Sequence, residues 1–216
     1  LNLSTAFAQG YDYYYLLLPA AFFISSLTIK YLAPDAEGHG TEKVIEAIHK
    51  RSGKIKWTVV PVKLVATVIT IATGGSAGKE GPCAQIGAGL SSIFSDLLHL
   101  DDSDRKKLVV CGISAGFAAV FGTPIAGAMF GIEVLFVGGL LYEVLLPSFI
   151  AGMTAYHVAT YLGIAYFYYP FSFVPVFSGI SFIKIILAGI FFGICSFLLI
   201  ESLKYFKKLS EKINLW

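Results

Sequence analysis

Gly74-Gly75-Ser76-Ala77-Gly78-Lys79-Glu80-Gly81-Pro82-Cys83-Ala84-Gln85-Ile86-Gly87-Ala88-Gly89 is the stretch on which the reading of this chain turns. Six of its sixteen residues are glycine, and two opposite charges, Lys79 and Glu80, stand side by side at its centre. Pro82 marks the first turn of a helix, where its missing N–H costs nothing. Apolar sequence lies on both sides. A glycine-rich break that presents a carboxylate at a helix N-terminus is expensive at membrane depth, and ionisable groups kept there are functional by default.

The surrounding composition establishes the membrane. Of 216 residues, 56% are hydrophobic and 14% charged, against about 25% charged in soluble domains; mean hydropathy is +0.74. Runs 13–29, 108–132, 144–183 and 185–200 carry no Asp, Glu, Lys or Arg, and several approach the ~20 residues a spanning helix needs. Alternating apolar and polar strands are absent, which argues against an outer-membrane barrel. The expected class is therefore an all-α membrane protein. The net charge of +2 is distributed in short clusters between hydrophobic runs, a pattern that offers nothing to nucleic acid. Cys83, Cys111 and Cys195 lack metal-ligand spacing, so neither a metal nor a cofactor is expected. The chain begins at Leu1 and meets its first hydrophobic segment almost at once; it reads as a fragment of a longer protein.

In chain order, 13–32 reads as the first membrane helix, ended by Pro34. A short segment at 41–49, too charged to span, follows the flexible Gly38-His39-Gly40. The apolar run 57–72 is interrupted by Pro61 and Lys63, and after the glycine-rich break a helix runs over 82–98. Neither half spans comfortably, and together they are expected to cross once. Residues 101–107 read as a loop with an acidic helix start. Segments 108–121 and 125–135, split by Gly122-Thr123-Pro124, repeat the broken pattern. Gly112-x-x-x-Gly116 and Gly127-x-x-x-Gly131 suit close helix packing. Spans 147–162 and 182–205 complete the chain, separated by an aromatic loop at 166–177. Counting five basic residues in 43–56 and four in 204–212 against three in 105–107 places the first two groups in the cytoplasm.

Gly38-His39-Gly40 and Gly78-Lys79-Glu80-Gly81 each open a helix. A helix N-terminus carries unsatisfied N–H groups and about half a positive charge, and so attracts anions. Two such termini facing one spot would bind an anion strongly enough to admit it and weakly enough to release it. Gly38, His39, Gly40, Thr41, Gly78, Lys79 and Gly81 are the candidate anion-binding residues. Glu80 competes for the same donors and leaves when protonated or displaced, which makes it the candidate gate; capping its own helix is the plain alternative. Lys63 either adds positive potential to the path or pairs with a carboxylate. Glu133 is either a buried ion-path carboxylate or a structural one. A phosphate loop fails twice, because Thr73 stands where the pattern needs glycine and Glu80 where it needs Ser or Thr. No nucleophile–His–acid set recommends an enzyme.

Gly78-Lys79-Glu80-Gly81-Pro82 with Gln85-Ile86-Gly87 resembles the G-[KR]-E-G-P-x-x-Q-I-G signature of CLC chloride channels and transporters. Residues 112–127, with Phe130-Gly131-Ile132-Glu133, resemble the element that follows it in that family, and Pro61-Val62-Lys63 is similar to the family's lysine-bearing segment. The resemblance covers nearly all of the chain but about half of a family member. It implies a CLC-like bundle of tilted and broken helices, with residues 1–216 forming the N-terminal one of two inverted repeats. It also implies a multi-pass protein of the cell membrane, a homodimer with one pore per subunit, a bound chloride ion, and Glu80 as the external gating glutamate. Two departures bear on function. His39 and Glu42 replace the serine and proline of the family's G-S-G-I-P-E segment, which leaves fluoride or nitrate open as the preferred ion. Val134 stands where proton-coupled members carry a second, inner glutamate. The expectation is chloride transport of channel-like character, with proton-coupled exchange as the alternative.

Overall fold

The computed structural model describes residues 14–134, 142–166 and 178–212. Among them it contains eight α-helices: α1 (Leu18–Leu32), α2 (Thr41–Arg51), α3 (Val59–Ala72), α4 (Glu80–Leu97), α5 (Asp102–Phe121), α6 (Pro124–Glu133), α7 (Tyr142–Tyr161) and α8 (Gly179–Lys212). No strand occurs among the described residues. Residues 1–166 form one unit and 167–216 another.

Within the first unit, α5 is the central helix, packed by α4 on one side and by α6 and α7 on the other. Glycine makes these approaches possible. A side chain at Gly116 would meet the carbonyl of Cys83, one at Gly112 the carbonyl of Gly87, and one at Gly131 the hydroxyl of Ser114. Both expected small-residue motifs therefore sit at helix crossings, where backbones come close enough for dispersion to replace the missing hydrophobic drive. Val44, Ile48, Ala84, Val110, Ile113 and Ile132 fill the space between them.

Each of the two broken segments reverses direction, which corrects the expectation that each crosses once. The N–H of Ile55, just before α3, donates to Ser92 Oγ near the end of α4 at 2.9 Å, and Gly89 faces Val60. Gly53 packs against Arg105 and the backbone of Lys106 at the start of α5. α3 and α4 thus form a re-entrant hairpin turned by residues 73–79. α3, with 14 residues, rises about 21 Å, short of the ~30 Å hydrocarbon core. α5 and α6 form a second hairpin: Gly122 closes α5 in the left-handed region (φ 70°) and Pro124 starts α6. The basic clusters 50–56 and 105–107 consequently share one face, where Lys107 also reaches Glu143 at the head of α7 at 3.2 Å. The three basic residues at 105–107 join the first cluster rather than opposing it.

Smaller differences follow from local chemistry. α5 begins at Asp102 because the Asp101 carboxylate accepts from the N–H of Asp104 at 2.8 Å, so the charged run 102–107 is helix rather than loop. Pro61 does not break α3, because it is the third residue and has no helical N–H bond to lose. α7 starts five residues before Pro147. One stretch among the described residues, Gly179–Phe206 in α8, has the length and hydropathy of a complete span. The expected loop 166–177 lies outside the described residues except for Tyr166, whose hydroxyl donates to the Ala119 carbonyl at 2.9 Å.

Candidate functional site: two helix N-termini at one cleft

The connection after α1 begins with a short turn at Pro34–Ala36 and ends in Gly38 and Gly40, both with positive φ (76° and 108°). Gly40 is the N-cap of α2. A side chain there would lie 2.9 Å from the Gly81 carbonyl and from Gln85 Oε1, so close approach and backbone angle both demand glycine. A side chain at Gly81 would strike the His39 carbonyl and ring. The starts of α2 and α4 are therefore in direct contact, and neither helix has a side-chain cap. Their first-turn N–H groups remain available to an anion.

Two side chains control the carbonyls of this connection. Lys63 Nζ, buried within α3, donates to the carbonyls of Ala36 at 2.9 Å and Gly38 at 2.7 Å. Gln85 Nε2 donates to the carbonyl of Asp35 at 2.9 Å. The negative ends of three peptide groups are thus engaged before any anion arrives. Among the described residues Lys63 pairs with no carboxylate; it brings its charge to the site through these carbonyls. Asp35 is fixed on its other side by Arg51 at 3.3 Å and Lys56 at 3.6 Å.

Gly38, His39, Lys63 and Gly78 line one open cleft of about 420 Å³, together with Ser25, Thr67 and Thr70. Gly40 and Gly81 form the contact behind it. Thr41 is the first residue of α2, and its Oγ1 lies 3.2 Å from His39 Nδ1. Lys79 occupies the N-cap position of α4 and is exposed. Glu80 is the first residue of α4, and its carboxylate folds back over Gly78, where any side chain would collide with it. The N-cap residue Lys79 makes no side-chain cap hydrogen bond. Glu133 is the last residue of α6, and its side chain is exposed among the described residues. Val134 packs against the apolar core.

Sequence reading missed Gln85 as a site residue and the hydroxyl lining altogether. The signal was present: Lys63, Thr67 and Thr70 recur at helical spacing and form one polar stripe on an apolar helix. Among the described residues no His/Cys/Asp/Glu group could hold a metal ion.

The profile described as "Voltage gated chloride channel" matches residues 21–216. The chain belongs to this family. CLC proteins are membrane anion transporters rather than enzymes. The chain is 33% identical over 198 residues to a "Chloride/fluoride channel protein" of Pseudomonas syringae pv. tomato, covering 92% of this chain and 44% of the relative. It is 32% identical over 136 residues to the "H(+)/Cl(-) exchange transporter ClcA" of Klebsiella pneumoniae subsp. pneumoniae, covering 59% and 29%. A crystal structure of a CLC-type fluoride/proton antiporter superposes with a TM-score of 0.88 at 26% identity, covering 98% of this chain and 53% of that one. The chain thus spans about half, or less, of the relatives it matches. The all-helical CLC fold with one repeat agrees with these comparisons.

Proposed function

We propose that this chain forms the first half of a halide transport path in a multi-pass cell-membrane protein, with Glu80 as its gate. The observation that carries the reading is the contact of two uncapped helix N-termini at Gly40 and Gly81, with the Glu80 carboxylate folded back beside them. When Glu80 is ionised, its carboxylate occupies the positive end of α4. Protonation, or displacement by an incoming anion, vacates that position for fluoride or chloride. Thr41, His39 and the first-turn N–H groups hold the ion, and Lys63 adds attraction from behind the 36–38 carbonyls. A homodimer with one path per subunit is the assembly that the family resemblance supports.

Exchange of the anion for protons is the mode favoured here, supported by the likeness over 98% of the chain to a fluoride/proton antiporter. A channel is the second reading, favoured by Val134 and by the channel relative. Reconstitution in liposomes with fluoride or chloride gradients, recorded with ion-selective and pH electrodes, separates the two. Exchange drives protons uphill against the anion gradient, and the absence of uphill protons leaves the channel. In the same vesicles Glu80→Gln is expected to abolish the pH dependence of anion flux. An unaltered rate and pH profile would remove Glu80 as the gate.

A further inference from the structure

We infer that His39 is the inner proton partner of Glu80, the group that takes protons from the basic face and passes them to the gate. The inference rests on the exchange reading above and names the group that performs the coupling. Val134 leaves the end of α6 without a second carboxylate. His39 is a titratable side chain in direct contact with the start of α4: its ring packs on the α-carbon of Gly81, the residue after Glu80. Imidazole is the side chain whose ordinary titration falls between pH 5 and 8, which suits a group that loads and unloads a proton in each cycle.

The position suits a relay. The segment that carries His39 leaves α1 at Ala33 and Ala36, which pack against Val59 and Val62 at the basic-face end of α3. The Glu80 turn follows the opposite end of α3, where Gly75 packs on Thr70. His39 therefore lies between the basic face and the gate. Thr41 Oγ1 lies 3.2 Å from Nδ1, and His39 lines the open cleft. On the basic-face side of the same contact, Gln85 Oε1 is buried without a hydrogen-bond partner. It borders a cavity of about 10 Å³ shared with Asp35, Lys43, Arg51 and Lys54, room for one water. A water held there would sit on the charged-surface side of the Gly40–Gln85 contact.

In the step itself the imidazolium gives its proton to the Glu80 carboxylate, directly or through one water. The products are a neutral carboxylic acid, which releases the anion site, and a neutral imidazole, which the inner solution reprotonates. The charged groups around His39 tune this exchange. Lys63 shares the cleft with His39, Lys79 and Glu80 precede the Gly81 that it touches, and Glu37, Glu42 and Lys43 flank it in the chain.

The test is the ratio of protons to anions moved by the whole protein in liposomes, wild type against His39→Ser and His39→Asn. Both variants are expected to lower that ratio at least tenfold, whatever their absolute anion rate. An unchanged ratio in either variant overturns the proposal while leaving exchange intact. A wild type that moves no protons overturns both. A readout independent of transport covers variants too slow to measure. Stopped-flow mixing of the whole protein with fluoride or chloride at pH 5.5 and 7.5, read with a pH-sensitive dye, is expected to show proton uptake in wild type that His39→Asn slows at least tenfold. An equal rate in the two proteins overturns the relay.

Discussion

At Gly81 one added methyl group has nowhere to go, because the His39 carbonyl and ring already occupy the space a Cβ needs. Gly81→Ala is therefore expected to push the two helix starts apart and to reduce anion flux at least tenfold in liposomes, at an overpacking cost of about 1–3 kcal/mol. Lys63 acts differently. Replacing it by Met retains the apolar stem but leaves the carbonyls of Ala36 and Gly38 without their donor, a cost of about 1–3 kcal/mol at the buried Ala36 and less at the exposed Gly38. Lys63→Met is expected to lower the thermal midpoint in detergent and to weaken anion binding in calorimetry. An unchanged midpoint would show that water satisfies both carbonyls. The glycines and Glu80 stand out in the sequence because a run of glycine and a charge are both costly in an apolar setting. Gln85 does not, since a buried amide in a helix looks like any other polar residue until its partner, the Asp35 carbonyl fifty positions away, is in view.

Between elements, the crossings are set by glycine rather than by large apolar side chains. Cys83 O faces Gly116, and Gly87 O faces Gly112, so α4 and α5 touch backbone to backbone. Gly116→Val places branched carbon against a carbonyl that cannot retreat without moving the helix. It is expected to cost several degrees in thermal midpoint and to expose Cys83 (half-buried in the wild type) to thiol reagents. The spacing of these glycines was visible in advance; the direction of the helices was not. Two short apolar stretches sum to one bilayer thickness whether the break between them continues or reverses. Only the contacts Ile55–Ser92 and Gly53–Arg105 decide for reversal. The start of α5 was misjudged for a related reason: a charged run reads as loop until Asp101 is seen to cap it.

For the first unit as a whole, two re-entrant hairpins place 50–56 and 105–107 on one face and the 73–79 turn towards the other. The eight basic residues of 43–56 and 105–107 then predict that face to be cytoplasmic more strongly than either cluster alone. Single cysteines at positions 54 and 106 of an otherwise cysteine-free protein are expected to react with a membrane-impermeant maleimide from the same side. A cysteine at position 79 is expected to react from the opposite side. Labelling of 54 and 106 from opposite sides would restore the single-crossing topology that the hydrophobic pattern alone suggests.

The buried Lys63 has a further consequence for how such a hairpin enters the bilayer. A lysine near the centre of an isolated helix costs about 2.5–3.5 kcal/mol on insertion scales, and α3 is only 14 residues long. Its ammonium finds acceptors only after the 36–38 turn is in place, and the free ends of α4 are sheltered only beside α2. During synthesis the 57–98 segment is therefore expected to wait at the membrane surface for its neighbours. The features proposed to hold an anion thus also set the order in which the parts of the hairpin can be threaded into lipid.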